Sequence, residues 1–505
     1  MKGISPGIVL LIIAVYFLFL MFISWRTSRK SNSADFFIGS RKSPWYVVAF
    51  GMLGATLSGV TFISVPGWVE EQQFSYMQMV IGYFFGYVVI AYVLMPMYYK
   101  LKLTSIYTYL EERFGVGSYK TGAAFFLLSR TVQAAFRLFL VAIVLQQFLM
   151  EPLGMPFWAT ILVTIGLIWI YTFQGGIKTI VWTDTLQTAS MLIAVGATMI
   201  YIAAQLDLSF SGMITAVQES EYSRIWYFDG GWSDPKNFFK QFLAGMFIAI
   251  VMTGLDQDMM QKNLSCKNLK DAQKNMMTFS TILIFANLLF LTMGVLLFLY
   301  AAQNGVEMPT RDVGGEARVA TDLLYPTIAL EHLSPAIGVV FLIGLIAAAY
   351  SSADSALTAL TTSFCIDFLN FEKSAKSEPE KRNTRLVVHL GFSLLLFIII
   401  MVFWYINDQA VISAIFQIAG YTYGPILGLY AFGFFVRRQV KDRLVAYVCL
   451  LSPILTYVIN ANSKALLWGY EFGFELLLLN GLITFAGLWL ISRPDNTVGS
   501  HLTYR

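Results

Sequence analysis

The stretch Gly344–Ser363, GLIAAAYSSADSALTALTTS, is apolar overall yet carries an aspartate and a run of hydroxyls among alanines. A helix crossing lipid satisfies its backbone within its own ladder, so polar side chains there turn to protein, water or an ion. Spacings of three and four put Ala348, Ser351, Ser352 and Ser355 on one side. Hydroxyl and carbonyl oxygens are the hard ligands that a dehydrated alkali cation needs. The small residues Gly344, Ala348, Ser352 and Ala356 equally make a packing face, with hydroxyls bonded to the preceding turn. Taken alone, the stretch supports both.

Other charged and polar residues fall inside apolar runs. An ionised side chain in a membrane span costs at least ~2.5–3.5 kcal/mol on insertion scales, so each wants a partner. Asp184 and Asp354 are expected at one depth, where with Ser351 and Ser355 they could hold a second cation or a proton. Alternatively, Asp184 is a helix N-terminal residue stabilised by the helix dipole. Arg130 and Arg137 share a face and either pair with those acids, the expected use, or meet an anionic solute. Thr56, Ser58, Thr61, Gln78 and Gln417 could bind a neutral polyol or an amphoteric solute. Tyr76, Phe247 and Tyr421 could stack on it, although most rings in so aromatic a chain serve packing.

The elements that must position these residues are membrane helices. The chain has 505 residues, 57% hydrophobic and only 13% charged, where a soluble domain has roughly 25% charged residues. Apolar runs long enough for a ~30 Å hydrocarbon layer recur throughout. We read spans near 6–26, 45–69, 74–99, 118–149, 156–173, 181–203, 237–255, 276–302, 335–362, 386–405, 409–436, 443–460 and 472–492. The first is too long for a signal-peptide core and is read as retained. Loops on one side carry Arg26, Arg29, Lys30, Arg41 and Lys42, then Lys100, Lys102, Arg113, Lys120 and Lys178. The same side continues with Lys262, Lys267, Lys270, Lys274, Lys373, Lys376, Lys381, Arg382, Arg385, Arg437, Arg438, Lys441, Arg443, Arg493 and Arg505. The other side has only Lys2, Arg224, Lys236, Arg311, Arg318 and Lys464. This bias places the N-terminus outside and the C-terminus in the cytoplasm, in a plasma membrane that the short inner loops suggest is a bacterial inner membrane.

Setting aside the 6–26 helix, residues 45–203 and 237–436 make two five-helix units, with two further helices over 443–492. An odd number of spans per unit makes the second copy inverted. Each unit opens on a helix rich in glycine and polar groups: Gly51, Gly54, Thr56, Ser58, Gly59, Thr61 and Ser64 in one, Gly245, Thr253, Gly254 and Asp256–Asp258 in the other. Matching interrupted helices point to a midplane site, though glycine is also common in membrane helices generally. The outer loops near 204–236 and 303–334 are either solvated connectors, the reading preferred, or a lid, and Asp367–Arg385 reads as a flexible linker. Three scattered cysteines and three separated histidines offer no metal or nucleophile constellation, so an enzyme is not expected. The net charge of +4 gives no sign of nucleic-acid binding.

Several motifs in order resemble the sodium:solute symporters, a family that includes sodium/glucose, proline and sialic acid transporters. They are TLSGVTFISVPG (Thr56–Gly67), LTSIYTYLEERFG (Leu103–Gly115), YTFQGGIKTIVWTDTLQ (Tyr171–Gln187), DQDMMQK (Asp256–Lys262), AAAYSSADSALTALTT (Ala347–Thr362) and YGPILGLYAFGFF (Tyr423–Phe435). The resemblance implies an all-α, LeuT-like fold with thirteen transmembrane helices in a 5+5 inverted repeat. It also implies Na+-coupled symport, by alternating access, of a small polar solute of the sugar, sialic acid, amino acid or vitamin class. The partners are then the solute, Na+ and the bilayer, with no obligate protein partner; the alternative is a solute-sensing or channel-like protein on the same fold. By resemblance, the principal Na+ site uses the carbonyls of Gly54, Leu57 and Ala348 with the hydroxyls of Ser351 and Ser352. Where members have a second site, its positions here are Ser351, Asp354, Ser355 and Asp184, and Asp354 stands where such members tend to have serine. Gln417 matches a glutamine of sugar transporters, whose acidic partner is not evident among Ser75–Val80. Gln133 replaces the arginine of sialic acid transporters, with Arg137 one turn on, and the solute stays open.

Overall fold

The computed structural model describes residues 6–28, 36–37, 39–172, 176–313, 316–371, 374–406 and 411–494. Lys2, Arg29, Lys30, Lys373 and Arg505 of the flanking charges, and residues 173–175 of one motif, lie outside them. Eight helices among the described residues are long and apolar enough to cross a membrane, or up to ten if each of two bent pairs is one span. Trp45–Thr56, Phe157–Ile170 and Leu476–Leu490 are shorter apolar helices. Such segments are helical because only internal hydrogen bonds spare their backbone in lipid.

Burial separates a centre from a rim. In the helices running Val116–Leu153 and Pro335–Phe368, 78% and 72% of the most apolar stretch is buried inside the protein. For Leu10–Thr27 and Asp442–Ala461 the shares are 17% and 22%. The hydroxyl-bearing helix therefore runs through the middle, and Leu10–Thr27 and Asp442–Ala461 lie at the rim. Helices approach closely where side chains vanish: a Cβ on Gly82 would strike the Phe242 carbonyl, and one on Gly245 the Met79 carbonyl, which locks Tyr76–Val89 against Phe238–Ala249.

Among the described residues, three helices are interrupted or sharply bent. Trp45–Thr56 stops and Gly59–Gln72 resumes after two residues. Phe238–Gly254, whose last turn Ile250–Gly254 is π-helical, meets Gln257–Leu264 at 64°. Val411–Thr422 and Gly424–Phe435 meet at 45°.

The connections are more ordered than the sequence suggests. In the stretch read as solvated, Thr321–His332 forms short helical turns that bury Leu323, Leu324 and Tyr325. Another connection contains the helix Phe210–Glu219. Asp367 is not part of a flexible linker: the central helix continues through Phe368, and the buried Asp367 carboxylate accepts from Tyr119 Oη at 2.9 Å and Ser363 Oγ at 2.5 Å. An antiparallel pair, Arg438–Val440 with Ser492–Pro494, ties together the ends of the last helices.

Candidate functional site

At the first break the helical ladder ends with Leu57 N–H donating to the Leu53 carbonyl at 2.7 Å, and Ser58 is extended (φ −72°, ψ 179°). Among the described residues, neither the Gly54 nor the Leu57 carbonyl accepts a hydrogen bond. Those carbonyls belong to a helix C-terminus, which carries partial negative charge. Gly54 is pressed against Gly176–Gln205, where a Cβ would strike Thr188 Oγ1. On the far side of the break, a Cβ on Gly59 would lie 4.0 Å from Ala349 Cα. The break thus faces the turn of Pro335–Ser363 that carries Ala348, Ser351 and Ser352. Ser351 Oγ is buried without a hydrogen-bond partner. Ser352 Oγ donates to the Ala348 and Ala349 carbonyls at 3.2 and 3.1 Å, leaving its lone pairs for a cation.

The second break is furnished differently. Asp256 caps Gln257–Leu264, its Oδ1 accepting from Asp258 N at 2.9 Å and Met259 N at 3.3 Å. Its Oδ2 accepts from Tyr423 Oη, the residue at the third bend. Tyr98 Oη donates to the Gly254 carbonyl at 2.8 Å, and Tyr107 Oη to the Leu255 carbonyl at 2.9 Å. Gln257 bonds Ile106 N at 3.0 Å and the Thr104 carbonyl at 2.8 Å. Protein groups satisfy this break, whereas the first offers its oxygens.

The buried charges pair in a pattern that differs from the expected one. Arg130 pairs with Asp258, not with Asp184 or Asp354. Lys262, placed by the sequence reading in an inner loop, is inside the protein with its Nζ 2.7 Å from Asp184 Oδ2. The reason is the short helix Gln257–Leu264, every residue of which is buried, so that its polar run turns back into the core. Ser355 Oγ donates to the same Asp184 oxygen at 3.4 Å. Asp354 is fully buried one residue earlier on that helix.

Beside the first break lies a cavity that is open on one side. Thr56, Leu57, Ser58, Thr61, Tyr76 and Arg137 line it, as do Arg130, Tyr83, Tyr87, Thr253, Asn287 and Phe416. Arg137 forms no ion pair among the described residues, whereas its neighbour Arg130 is neutralised by Asp258. The residue set expected to face solute is corrected at several positions. Gln78 is fully buried elsewhere, donating to the Lys236 carbonyl at 2.8 Å and accepting from Tyr227 N at 3.1 Å, so it anchors the connection that precedes Phe238–Ala249. Gln417 lines an adjoining pocket with Trp68, Asn460 and Phe474, because Ile412, Ile415 and Phe416 take the face of the helix that meets the cavity. Gln133 is buried outside the lining, its amide without hydrogen bonds. Phe247 and Tyr421 are also outside it. Sequence reasoning missed Phe416, which borders both pockets and packs on Phe474 (centroids 4.9 Å), which in turn packs on Trp68 (6.1 Å).

A polytopic helical protein with a broken helix that packs on a hydroxyl-bearing helix and borders a cavity has the architecture of a membrane carrier. The sodium:solute symporter family model matches residues 36–442, and the chain belongs to that family. It is 25% identical to the sodium/sialic acid symporter NanT of Aliivibrio fischeri, over 90% of this chain and 88% of that protein. It is 26% identical to the sodium/sialic acid symporter SiaT of Proteus mirabilis, over 94% of this chain and 92% of that one. Its fold resembles that of a substrate-bound, outward-open Na+-coupled sialic acid symporter: TM-score 0.79 at 22% identity, covering 96% of this chain and 97% of the other.

Proposed function

We propose that this protein is a Na+-coupled symporter that carries a small carboxylate-bearing solute into the cell. The observation that carries this reading is the pairing of two features at one break. Its carbonyl oxygens accept no hydrogen bond among the described residues, Ser351 Oγ on the neighbouring helix is buried without a partner, and the adjoining cavity presents Arg137 with no ion-pair partner among the described residues. The first feature suits Na+, held by Gly54, Leu57 and Ala348 carbonyls with Ser351 and Ser352. The second suits an anionic group, for which a guanidinium offers a two-pronged donor. Thr56, Ser58 and Thr61 supply hydroxyls for the rest of the solute, and Tyr76 supplies a ring.

In this reading thirteen helices cross the membrane as two inverted five-helix repeats flanked by one N-terminal and two C-terminal helices. The N-terminus is outside and the C-terminus cytoplasmic. Na+ bridges the first broken helix and Pro335–Ser363, and its binding assembles the solute cavity. Phe416, Trp68 and Phe474 form the layer between the cavity and the outer pocket that contains Gln417. A tenfold Na+ gradient contributes ~1.4 kcal/mol per ion, enough for about tenfold solute accumulation.

The test is uptake into proteoliposomes, screening small carboxylates, sialic acids, amino acids, sugars and vitamins under an inward Na+ gradient, with K+ as control. Saturable, Na+-dependent uptake of a carboxylate is expected. Uptake indifferent to Na+, or confined to neutral solutes, would overturn the reading.

A further inference from the structure

We propose that the Lys262 ammonium is a built-in cation that stands in for a second alkali ion at Asp184, so that the transport cycle binds a single Na+. This rests on the Na+-symport reading above. Asp184, Ser355 and Lys262 come from three separate helices and converge behind the first break. A Cβ on Gly51 would lie 3.3 Å from Asp184 Cβ, and one on Gly54 3.3 Å from the Asp184 carbonyl oxygen. Lys262 and Asp184 are 1% and 0% exposed, so neither charge is answered by bulk water.

A buried carboxylate with hydroxyls on the facing helix is a donor set for a small hard cation, and the charge placed on it is an ammonium. The ammonium does not use all of the set. Asp184 Oδ1 has no hydrogen-bond partner, nor does Ser351 Oγ, one turn before Ser355. A pair whose only purpose was packing would be served as well by apolar side chains. Of the other charges nearby, Asp258 on the same short helix is taken by Arg130, and Asp354 is buried next to Ser355. Because Lys262 is covalently attached, its charge stays with the protein when solute and Na+ leave.

The experiment is Na+ titration of uptake and of thermal stability for the full chain, comparing wild type with Lys262→Met, Lys262→Arg and the double variant Asp184→Asn/Lys262→Met. Wild type and Lys262→Arg should respond hyperbolically to Na+, with a Hill coefficient near one. Lys262→Met should become sigmoidal, with a coefficient approaching two, and be stabilised by Na+ more than wild type is. The double variant, lacking the Asp184 carboxylate while keeping Asp354, should return to a hyperbolic response. A sigmoidal wild type would overturn the proposal. So would Lys262→Met with the wild-type response, or one that fails to fold equally in Na+ and K+, which would mark a purely structural pair. A wild-type protein with no Na+ dependence would instead overturn the symport reading.

Discussion

Tyr107 Oη donates to the Leu255 carbonyl at 2.9 Å and so closes one oxygen of the second break. Leu57, at the first break, has no such donor among the described residues. Two interrupted helices in one chain therefore differ: one is completed by tyrosines and a capping aspartate, the other keeps carbonyl oxygens without a hydrogen bond among the described residues.

Ser351→Ala and Ser352→Ala should each raise the Na+ concentration needed for half-maximal uptake. Taking ~1.5–3 kcal/mol for a polar group that meets a charge, the rise is roughly ten- to hundredfold per hydroxyl. Na+ titration of initial uptake rates checks this; an unchanged requirement would remove both residues from the ion site.

Arg137→Gln should weaken solute binding and leave the Na+ requirement for stabilisation largely intact. A charge-assisted hydrogen bond is worth about 1.5–3 kcal/mol, or roughly ten- to hundredfold in KM for a carboxylate. Arg137→Lys should recover only part of this, because a lysine cannot offer the two-pronged geometry. Equal uptake by all three proteins would exclude the guanidinium from recognition.

Arg130→Met should behave differently, as a stability defect. It strands Asp258 in the interior, and breaking a buried pair from one side costs about 3–5 kcal/mol. Arg130→Met combined with Asp258→Leu should recover much of that loss. Thermal unfolding in detergent measures both.

Gln78→Ala should lower thermal stability while leaving KM for solute unchanged, since its amide holds the backbone at Tyr227 and Lys236. Leaving those groups unpaired costs about 1–3 kcal/mol. A raised KM without loss of stability would return Gln78 to the solute site.

What is legible in the chain by itself is what hydropathy and residue chemistry announce locally. The Gly-Ala-Thr-Leu-Ser-Gly run marks the first break because small and hydroxyl residues tolerate a helix end in lipid. The serines of Pro335–Ser363 stand out because polar side chains are costly there. Lys262 is misplaced by sequence alone because an eight-residue polar helix looks like a loop until its partner is known, and Asp184 is 78 residues away. Gln78 misleads for a related reason. Its partners are backbone atoms 149 and 158 residues distant, and no side-chain pattern advertises them. The cavity-facing side of Val411–Thr422 also needs three dimensions, since periodicity gives its faces but not their neighbours.

The hydroxyl of Tyr423 sits at one bend and holds the aspartate that caps the helix beyond another. One side-chain hydrogen bond therefore ties the two bends together, and a change of angle at either must carry Tyr423 and Asp256 along or break that bond.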